Sequence, residues 1–565
     1  MSAPTNFRDS VVSSPVAYLA GSPDFTDTRL ATLARREGSA VAWREVLALG
    51  RSGVEALGGQ FAIALQDASG RTLLAVDRFA THTLCYRVDG NRLHFADRAD
   101  DLADESVPLD AQALFDYLYC HTIPAPRTVF EDIFRLPAGH FALYSDGRLT
   151  VAPYWTPEFT EPDRPDFSTL RSEFRSLLRE AVSAALDDGK AACFLSGGTD
   201  SSTVAGMIRE VGGEPAASYS IGFEADGFDE MAYARIASRH FGTHHHEYYI
   251  TPADLVASIP EVARSYDQPF GNSSVLPTFY CSRMARSDGV QRLLAGDGGD
   301  ELFGGNSRYA KQRVFGWYAK VPKALRTGLL EPAFALPAVA GAPLLRKGAS
   351  YIEQARVPMP DRLQMYNLLL RLGITQVLTR EFLERVNIHA PEDQQREVWH
   401  QARTPHETNR TLAYDWRFTL AENDLPKVRG ATQLAGIDVA FPFLDRALHD
   451  FSMRLPARYK LRGLQLRWFF KEALRGFLPD EIIQKKKHGF GLPFGVWMVK
   501  HAGLRKLAIE AIEGLAERGI VRPQFIRNLI ETHLPEHPSY YGEMVWILMM
   551  LEQWLQQHAP RWSAD

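Results

Sequence analysis

Hydrophobic and polar residues alternate in short runs along residues 1–155, and Gly, Asp and Asn turns separate the runs. Runs of this kind are typical of β-strands joined as hairpins. The clearest of them are QFAIALQD, TLLAVD, LHFAD and HFALYSDGRLTVAPYW. The pattern therefore predicts a β-sandwich domain over residues 1–155. Residues 156–167, TPEFTEPDRPDF, are rich in proline and acidic side chains and are predicted to form a linker.

The pattern changes at residue 168, where apolar side chains begin to recur at helical spacing. Predicted strands and predicted helices then alternate, and the strands are CFL, ASYSIGF, HEYYI and RLLAG. This alternation is typical of a parallel sheet that helices cover on both faces. From about Asn306 the chain is predicted to be mostly helical. We therefore expect an α/β protein with a second domain over residues 168–565.

The composition of the 565-residue chain is that of an ordinary globular protein, with 45% hydrophobic residues, 23% charged residues and a formal net charge of −5. This balance gives no electrostatic reason to expect nucleic acid or an anionic membrane as a partner. The amino-terminal MSAPTNFRDS lacks the apolar region of a secretion signal, and the most apolar stretch, AFALPAVAGAPLL, is too short to span a bilayer. The four cysteines form no CxxC pair, which argues against a zinc site. We expect a cytoplasmic protein with neither a membrane nor a nucleic-acid partner.

The segment ACFLSGGTDSSTVAGMI combines a short apolar strand, a Ser-Gly-Gly turn and the start of a helix. Gly197 and Gly198 allow main-chain N–H groups to close around an anion at the positive end of that helix. Ser196 and Ser201 add hydroxyl donors. No lysine follows the glycines, so the γ-phosphate site of an ordinary P-loop is not expected. A bare Ser-Gly-Gly is also common in turns that bind nothing. Here the combination of the turn with Asp200 favours a phosphate site in which a cation bridges the carboxylate and the phosphates.

Two aspartates follow predicted strands at what should be the same edge of the sheet. Asp200 lies in the first helical turn after the Ser-Gly-Gly, and Asp300 lies in GDGGDE after the strand RLLAG. A carboxylate beside phosphates adds repulsion unless a cation intervenes, and oxygen donors suit Mg²⁺. The alternative role, helix N-capping, is common for aspartate. We predict that Asp200 and Asp300 together bind Mg²⁺ beside a polyphosphate.

These motifs, in this order, resemble the asparagine synthetase family of ATP pyrophosphatases, whose nucleotide loop is called the PP-loop. The resemblance covers nearly the whole chain and rests on SGGTDSS, GDGGDELFGG, DQPFGNSSVLPT, DVAFPFLD and KKHGFGLPFGVW, with LGGQFAIALQD and TVFEDIFRLPAGH in the first domain. It implies a degenerate glutaminase-like domain of the Ntn type, an αββα sandwich, followed by a HUP-like parallel-sheet synthetase domain with a helical carboxy-terminal part. The implied cofactors are ATP and Mg²⁺.

The residues and the resemblance imply the same reaction. A loop that holds the two outer phosphates stabilises pyrophosphate as the leaving group, so a substrate carboxylate attacks the α-phosphorus and an amine then displaces AMP. The expected enzyme is therefore a C–N bond-forming ligase that releases AMP and pyrophosphate. The predicted ATP- and pyrophosphate-binding residues are Leu195, Ser196, Gly197, Gly198, Asp200, Ser201, Gly296 and Asp297.

Further residues take their predicted roles from the resemblance alone. Lys487 stands where a lysine neutralises the pyrophosphate and the oxyanion of the collapsing intermediate. Asp438 stands where relatives carry a glutamate that acts on the attacking amine, and it is one methylene shorter. Asn272, Ser274 and Glu301 stand in regions that contact the acceptor.

The residue after the initiator methionine is Ser2, where glutamine-using relatives carry a catalytic cysteine, and no cysteine precedes Cys85. A serine hydroxyl is a much weaker nucleophile than a thiolate, so glutamine hydrolysis is not expected. The amine would be ammonia or an amine of the substrate itself, as in β-lactam synthetases and lasso-peptide cyclases, which share this loss. Asp297 replaces a tyrosine of the β-lactam synthetases, and Ala440 replaces an arginine frequent in the family. The carboxylate substrate, a small molecule or a peptide, therefore stays open.

Several hypotheses follow from these patterns. The first is an ATP-dependent amide ligase without a working glutaminase, and a variant of it is a lasso-type peptide macrolactam cyclase. The second is a non-catalytic relative that binds nucleotide. A tRNA-thiolating enzyme with the same loop is disfavoured by the lack of paired cysteines and of a basic RNA-binding face. A homodimer is compatible with each hypothesis.

Overall fold

The chain forms two compact units in the computed structural model. The described residues are 15–104, 106–163, 165–186, 189–319, 321–335, 343–486 and 491–564. The first unit consists of the described part of Met1–Pro108 together with Ala125–Thr156, and the second consists of Leu109–Pro124 together with the described part of Pro157–Asp565. The short segment Leu109–Pro124, which the hydrophobic pattern groups with the first domain, thus belongs to the second unit.

The first unit is built on antiparallel strands. Its strands are β1 (Val16–Gly21), β2 (Asp24–Phe25), β3 (Leu57–Gly58), β4 (Phe61–Gln66), β5 (Thr72–Val76), β6 (Cys85–Asp89), β7 (Arg92–Ala96), β8 (Phe134–Arg135), β9 (His140–Ser145) and β10 (Arg148–Pro153). Its helices are α1 (Thr28–Glu37), α2 (Ser39–Leu49) and α3 (Arg51–Glu55). One sheet has the strand order β1-β4-β5-β9-β10, a second has the order β7-β6-β8, and β2 pairs with β3.

Strand β4 is buried on both faces, and its side chains divide between two hydrophobic cores. Ile63 packs in one core with Val46 of helix α2. Ala64, which points to the other face, packs in the second core with Tyr86 of the three-stranded sheet. The predicted sandwich of two sheets is confirmed, and the strand pattern did not predict the helices α1 to α3 that add a layer to it.

The second unit contains a parallel sheet with the strand order β13-β12-β11-β14-β15. Its strands are β11 (Ala192–Phe194), β12 (Ala217–Phe223), β13 (His244–Ile250), β14 (Arg292–Leu294) and β15 (Asp438–Ala440), and a hairpin follows from β16 (Leu461–Arg462) and β17 (Gln465–Leu466). Every residue of β12 is buried, as expected for a central strand of a covered parallel sheet. The predicted α/β class is confirmed, and β15 is a fifth strand that the pattern did not predict.

Helices surround this sheet and make up most of the rest of the second unit. They are α4 (Ala111–Cys120), α5 (Phe167–Ala185), α6 (Thr199–Gly212), α7 (Met231–Phe241), α8 (Pro252–Ser265), α9 (Val275–Ser287), α10 (Gly299–Phe303), α11 (Ser307–Ala319), α12 (Lys323–Leu325), α13 (Glu331–Ala335), α14 (Pro343–Arg356), α15 (Leu368–Leu372), α16 (Ile374–Val377), α17 (Arg380–Glu384), α18 (Ala390–Gln401), α19 (Glu407–Asp415), α20 (Leu425–Ala435), α21 (Arg446–Arg454), α22 (Ala457–Lys460), α23 (Trp468–Ala473), α24 (Asp480–Gln484), α25 (Phe494–Lys500), α26 (Ala502–Glu517), α27 (Pro523–Asn528), α28 (Leu534–Glu536) and α29 (Pro538–His558). Shorter 3₁₀ turns are Asp361–Gln364 and Pro442–Leu444, and π-helical segments are Arg326–Leu330, Trp416–Asp424 and Leu529–His533.

Helix α29 is buried along most of its length and crosses the core of the second unit. The indole N–H of Trp546 donates to Gly271 O over 2.9 Å, and that of Trp554 donates to Tyr266 O over 3.0 Å. The hydroxyl of Tyr117 in α4 donates to Ile547 O over 2.9 Å. Polar atoms of large buried side chains thus find partners that tie α29 to the loop before α9 and to α4. Within the described ranges, none of the helices combines the length and apolar character that a membrane crossing requires.

Candidate active site

The carboxyl ends of β11 and β14 open into a cavity of about 1160 Å³ in the second unit. The strand order explains its place. From β11 the chain runs outward through β12 to β13, and it then returns to the other side of β11 to form β14. The loops that leave β11 and β14 diverge at this switch point, and a crevice forms between them. Leu195 and Ser196 after β11, with Gly296 and Asp297 after β14, line the cavity.

The Ser-Gly-Gly turn has a conformation that requires glycine. Gly197 has a φ of +67°, and a Cβ there would lie 2.3 Å from the main-chain nitrogen of Ala234. Ser196 N donates to Ser201 Oγ over 3.1 Å, and Gly198 N donates to Ser196 Oγ over 3.3 Å. Helix α6 then begins without a side-chain N-cap bond, a helix end that favours an anion. Ser196, Gly198 and Ser201 line the cavity, whereas Gly197 packs behind its wall.

The GDGGDE loop brings a second carboxylate to this turn. A Cβ on Gly299 would lie only 2.1 Å from Asp200 Oδ1, so the lack of a side chain at Gly299 makes room for the Asp200 carboxylate. Asp300 follows in the first turn of α10. Both aspartates line the cavity, and their side chains are 19% and 20% exposed. The two carboxylates that the sequence predicts to act together are therefore neighbours.

Arg467 joins the two carboxylates. Its Nη1 donates to Asp200 Oδ2 over 2.7 Å and to Asp300 Oδ1 over 2.9 Å. Nη1 also donates to Thr199 Oγ1 over 2.7 Å, and Nη2 donates to Asp200 Oδ1. No sequence motif marks Arg467, which follows the β16–β17 hairpin 167 residues after Asp300. The functional residues of this edge thus include a cation that the sequence did not predict.

The donor set at this edge suits Mg²⁺ rather than a metal held by the protein alone. Among the described residues, no group of three or more His, Cys, Asp or Glu side chains is arranged to hold a metal ion. Mg²⁺ is commonly bound by one or two carboxylates, with substrate phosphates and water as the other ligands. Asp200 and Asp300 converge on one guanidinium nitrogen, so both can face a single cation.

A second charge cluster, which we call the Lys427 triad, consists of Lys427, Asp297 and Asp424. Lys427 Nζ lies 3.0 Å from Asp424 Oδ1 and 3.5 Å from Asp297 Oδ1. Burial lowers the pKa of Lys427, but the two carboxylates outweigh burial and raise the pKa above its ordinary value. Burial raises the pKa of Asp297, and the charge of Lys427 opposes this rise. All three residues line the cavity.

Asp424 and Lys427 were not among the predicted site residues. Asp424 ends the π-helical segment Trp416–Asp424, and π-helical turns are frequent at functional sites. Lys427 lies one turn later, in α20. The sequence signal for these two residues was the spacing in DLPK, where Asp424 and Lys427 are three residues apart and so lie on one face of a helix.

The three residues predicted to contact the acceptor line the same cavity. Asn272 Nδ2 donates to Asn423 Oδ1 over 2.5 Å, and Asn272 Oδ1 accepts from Ser274 N over 3.0 Å. These bonds fix the start of α9 against the π-helical segment. Glu301 is 8% exposed, and burial, reinforced by the charge of Asp424, raises its pKa to about 8. This end of the cavity is thus rich in amide and carboxyl groups.

Asp438 lies away from the other predicted residues and is not among the residues that line the cavity, a position that gives no support to its predicted action on the amine. It is the first residue of β15 and pairs in register with Arg292, the first residue of β14. Arg292 Nε donates to Asp438 Oδ2 over 2.9 Å, and the Asp438 side chain is 55% exposed. The first residues of parallel strands lie at the amino edge of the sheet, whereas the cavity lies at the carboxyl edge.

Lys487 lies outside the described residues, but Lys485 of the same basic run lines the cavity. Lys485 Nζ lies 3.1 Å from Glu230 Oε2 and donates to Gly197 O over 3.4 Å. It also lies 4.5 Å from the ring centre of Tyr233. Burial lowers the pKa of Lys485, and the Glu230 carboxylate opposes this. Lys485 therefore supports the Ser-Gly-Gly turn, a role that the sequence did not predict.

Two separate stretches of the chain match known families. Residues 173–556, more than half of the 565-residue chain, match the family described as asparagine synthase, and residues 36–155 match the glutamine amidotransferase domain. The chain belongs to the asparagine synthase family. The family resemblance found in the motifs is thereby confirmed, as is the pairing of an Ntn-like domain with a parallel-sheet synthetase domain. Membership of the asparagine synthase family places the chain among ligases that form C–N bonds, and it supports ATP-dependent amide formation in general terms.

Relatives in this family include asparagine synthetase (glutamine-hydrolyzing) 1 from Bacillus subtilis (strain 168), which is 22% identical over 88% of this chain and 77% of its own length. A putative asparagine synthetase (glutamine-hydrolyzing) from Mycobacterium bovis is 27% identical over 79% of this chain and 68% of its own length. Among solved structures, glutamine phosphoribosylpyrophosphate amidotransferase from B. subtilis, complexed with ADP and GMP, is 11% identical over 49% of this chain and 60% of that chain, with a TM-score of 0.16. A TM-score this low carries no structural inference.

Proposed function

We propose that this chain couples a substrate carboxylate to an amine through an acyl-adenylate, with ATP and Mg²⁺ in the cavity at the carboxyl ends of β11 and β14. Family membership supports ATP-dependent amide formation in general terms. One observation supports the finer proposal: Asp200 and Asp300 meet beside the Ser-Gly-Gly turn, on the wall of one large cavity.

The Ser-Gly-Gly turn and the start of α6 are proposed to hold the two outer phosphates of ATP. Ser196 and Ser201 have hydroxyl groups on the cavity wall, and Lys485 adds positive charge behind the turn. Asp200 and Asp300 would hold Mg²⁺, which neutralises phosphate charge when bound. Outer phosphates that are held as a unit leave together as pyrophosphate, so the α-phosphorus is the atom open to attack.

The proposed reaction has two displacements. A substrate carboxylate oxygen attacks the α-phosphorus, the bond to the bridging oxygen breaks, and pyrophosphate leaves. The amine nitrogen then attacks the acyl carbon, the bond to the AMP oxygen breaks, and AMP leaves. The amine must also lose a proton, and we assign its acceptance to Asp424, because this carboxylate lines the cavity and Lys427 holds it at 3.0 Å.

We further propose that ammonia or a substrate amine, rather than glutamine, supplies the nitrogen. Ser2 stands where glutamine-using relatives carry cysteine, although it lies outside the described residues. Cys85, the first cysteine of the chain, is fully buried in β6. The test is a comparison of glutamine with ammonium chloride as nitrogen source. Glutamate release from glutamine would contradict the proposal.

A peptide macrolactam cyclase is the second candidate, and the size of the cavity supports it. Cavities of roughly 300–1000 Å³ accommodate a drug-sized ligand, and this cavity measures about 1160 Å³. Room beside ATP would suit part of a peptide that supplies both the carboxylate and the amine. Its product would be identified by mass spectrometry as the peptide less one water molecule.

The experiment incubates the protein with ATP labelled at the α-phosphorus, Mg²⁺, and panels of carboxylates and amines. We expect AMP and pyrophosphate in equal amounts, and ADP with orthophosphate would refute the proposed mechanism. Asp300→Asn should abolish pyrophosphate release, and Asp438→Asn, at an exposed aspartate outside the cavity, is the matched control. Binding of Mg·ATP without pyrophosphate from any pair of substrates would instead support a non-catalytic nucleotide-binding relative.

A further inference from the structure

Arg467 occupies the space between Asp200 and Asp300. A single nitrogen, Nη1, donates to both carboxylates and to Thr199 Oγ1, and Nη2 donates to Asp200 as well. Hydrogen bonds between ionised partners are the strong ones, and a guanidinium presents them in a fixed planar fork. Arg467 therefore engages both carboxylate oxygens of Asp200 and one of Asp300, which are oxygens that a divalent cation could use.

The surroundings hold Arg467 in this place. Its side chain is 5% exposed, and the guanidinium lies 3.9 Å from the ring centre of Phe470. Its main chain has φ +55° and ψ 34°, an uncommon conformation for a residue with a side chain, and Arg467 N donates to Gly304 O over 3.2 Å. Within the part of the chain that the structure describes, its Nε has no hydrogen-bond partner. Packing thus fixes the Arg467 side chain in the site, and its buried Nε–H group has no hydrogen-bond acceptor among the described residues.

The charges of the site explain why a resident cation is needed. Two carboxylates with side chains only 19% and 20% exposed repel each other and have lost hydration, and a positive charge between them offsets both costs. Arg467 supplies that charge without a metal. A metal ion that used the same oxygens would compete with the guanidinium, because Nη1 already bonds to one oxygen of each carboxylate.

We infer that Arg467 is a resident counter-cation that competes with the divalent cation for Asp200 and Asp300. This inference rests on the proposed function, since it concerns the same phosphate-binding edge. Arg467 is a positioning residue: it keeps the two carboxylates together before the cation arrives. Its competition lowers the affinity of the protein for free divalent cations, so the site binds the cation mainly when phosphates bring further ligands.

The test measures binding of Mn²⁺ to the nucleotide-free, full-length protein, by the loss of the electron paramagnetic resonance signal of free Mn²⁺. Mn²⁺ shares the preference of Mg²⁺ for carboxylate oxygens. Arg467→Gln should bind Mn²⁺ at least about tenfold more tightly than the wild type, which corresponds to the loss of one charge-assisted bond of the competing guanidinium. Arg467→Gln with Asp300→Asn should lose that gain, because one of the two carboxylates is then missing.

Arg475→Gln is the matched control, since Arg475 also lines the cavity but pairs with Glu472 at 2.8 Å. Arg475→Gln shows how far the loss of one positive charge near the site changes the Mn²⁺ affinity when the bonds to Asp200 and Asp300 stay in place. An Mn²⁺ affinity of Arg467→Gln no higher than that of the wild type or of Arg475→Gln would overturn the inference. Should Arg467→Gln fail to fold, Arg467→Lys keeps the charge without the planar fork. A severalfold gain in Mn²⁺ affinity then supports the inference, and no gain overturns it.

The same titration with Mn·ATP separates this inference from the proposed function. A wild type that neither binds Mn·ATP nor releases pyrophosphate would refute the proposed function. A wild type that releases pyrophosphate, combined with an Arg467→Gln variant of unchanged Mn²⁺ affinity, would refute the role of Arg467 alone.

Discussion

Replacement of Lys427 by methionine tests whether the Lys427 triad stabilises the second unit. Methionine keeps the length and apolar character of the stem but leaves Asp297 and Asp424 without the ammonium group that lies 3.5 and 3.0 Å from them. At an effective dielectric constant of about 20, each contact contributes a gross attraction of about 5 kcal/mol. The cost of burying the lysine offsets much of this, so we expect the free energy of unfolding to fall by ~3 kcal/mol at pH 8.

The loss should shrink as the pH falls. Burial already raises the pKa of Asp297, and the charge of Lys427 opposes that rise. Without Lys427, this pKa lies further above that of the unfolded chain, so the folded variant binds more protons than the unfolded one. The stability of the variant therefore increases below the raised pKa, by up to ~1.4 kcal/mol for each pH unit. Urea unfolding of wild type and variant at pH 8 and pH 5.5 measures both effects.

Lys471→Met is the matched control for the loss of a lysine from the same cavity wall. Burial, and then the charge of Arg467, lowers the pKa of Lys471, so its positive charge does not stabilise the fold. We expect Lys471→Met to be neutral or slightly stabilising. A stabilising role of the Lys427 triad is refuted if Lys427→Met lowers the free energy of unfolding no more than Lys471→Met does, or if it lowers it equally at both pH values.

Three further predictions concern Gly197 in the Ser-Gly-Gly turn, the buried Lys460, and Asp438, which is not among the residues that line the cavity. Gly197→Ala should lose ~3 kcal/mol of stability and most ATP affinity, because its Cβ would meet the main chain of Ala234 at 2.3 Å. Urea unfolding and nucleotide titration measure the two losses. Gly213→Ala, at φ +73° with open space around it, is the control and should lose far less in both. Burial lowers the pKa of Lys460 to about 7, so between this value and the unfolded pKa the unfolded chain binds the extra proton. Wild-type stability should therefore rise with pH relative to Lys460→Met, by up to ~1.4 kcal/mol per pH unit, and parallel urea midpoints from pH 7 to pH 9 would contradict this. Asp438→Asn should release pyrophosphate within about twofold of the wild-type rate, whereas a loss of two orders of magnitude would return Asp438 to the reaction.

The strands and helices that the sequence predicted well are those whose own pattern decides their structure. ASYSIGF forms β12 with the predicted bounds, since apolar β-forming residues fill it on both faces. The helix expected after the strand HEYYI is α8 (Pro252–Ser265), and Thr251 and Asp254 provide a capping box at its start. Helix α9 was not predicted because neighbouring elements bury it on several sides, so no polar face marks its period.

The residues of the candidate site likewise divide into those that local sequence patterns predicted and those that they did not. The meeting of Asp200 and Asp300 followed from the rule that loops at the carboxyl ends of parallel strands converge. Arg467 and Lys427 reach the cavity through the packing of distant segments. No motif marks Arg467, and the spacing in DLPK is the local signal for Lys427. Asp438 was assigned from its place along the chain, which does not reveal the end of β15 at which a residue lies.

The buried helix α29 has a consequence for the order of biosynthesis. Glu543 of this helix forms part of the cavity wall, and Trp546 bonds to the residue next to Asn272. Every other segment of that wall precedes α29 along the chain. A nascent polypeptide on the ribosome can therefore form the Ser-Gly-Gly turn early, but the cavity lacks the part of its wall that contains Glu543 until α29 has emerged and packed.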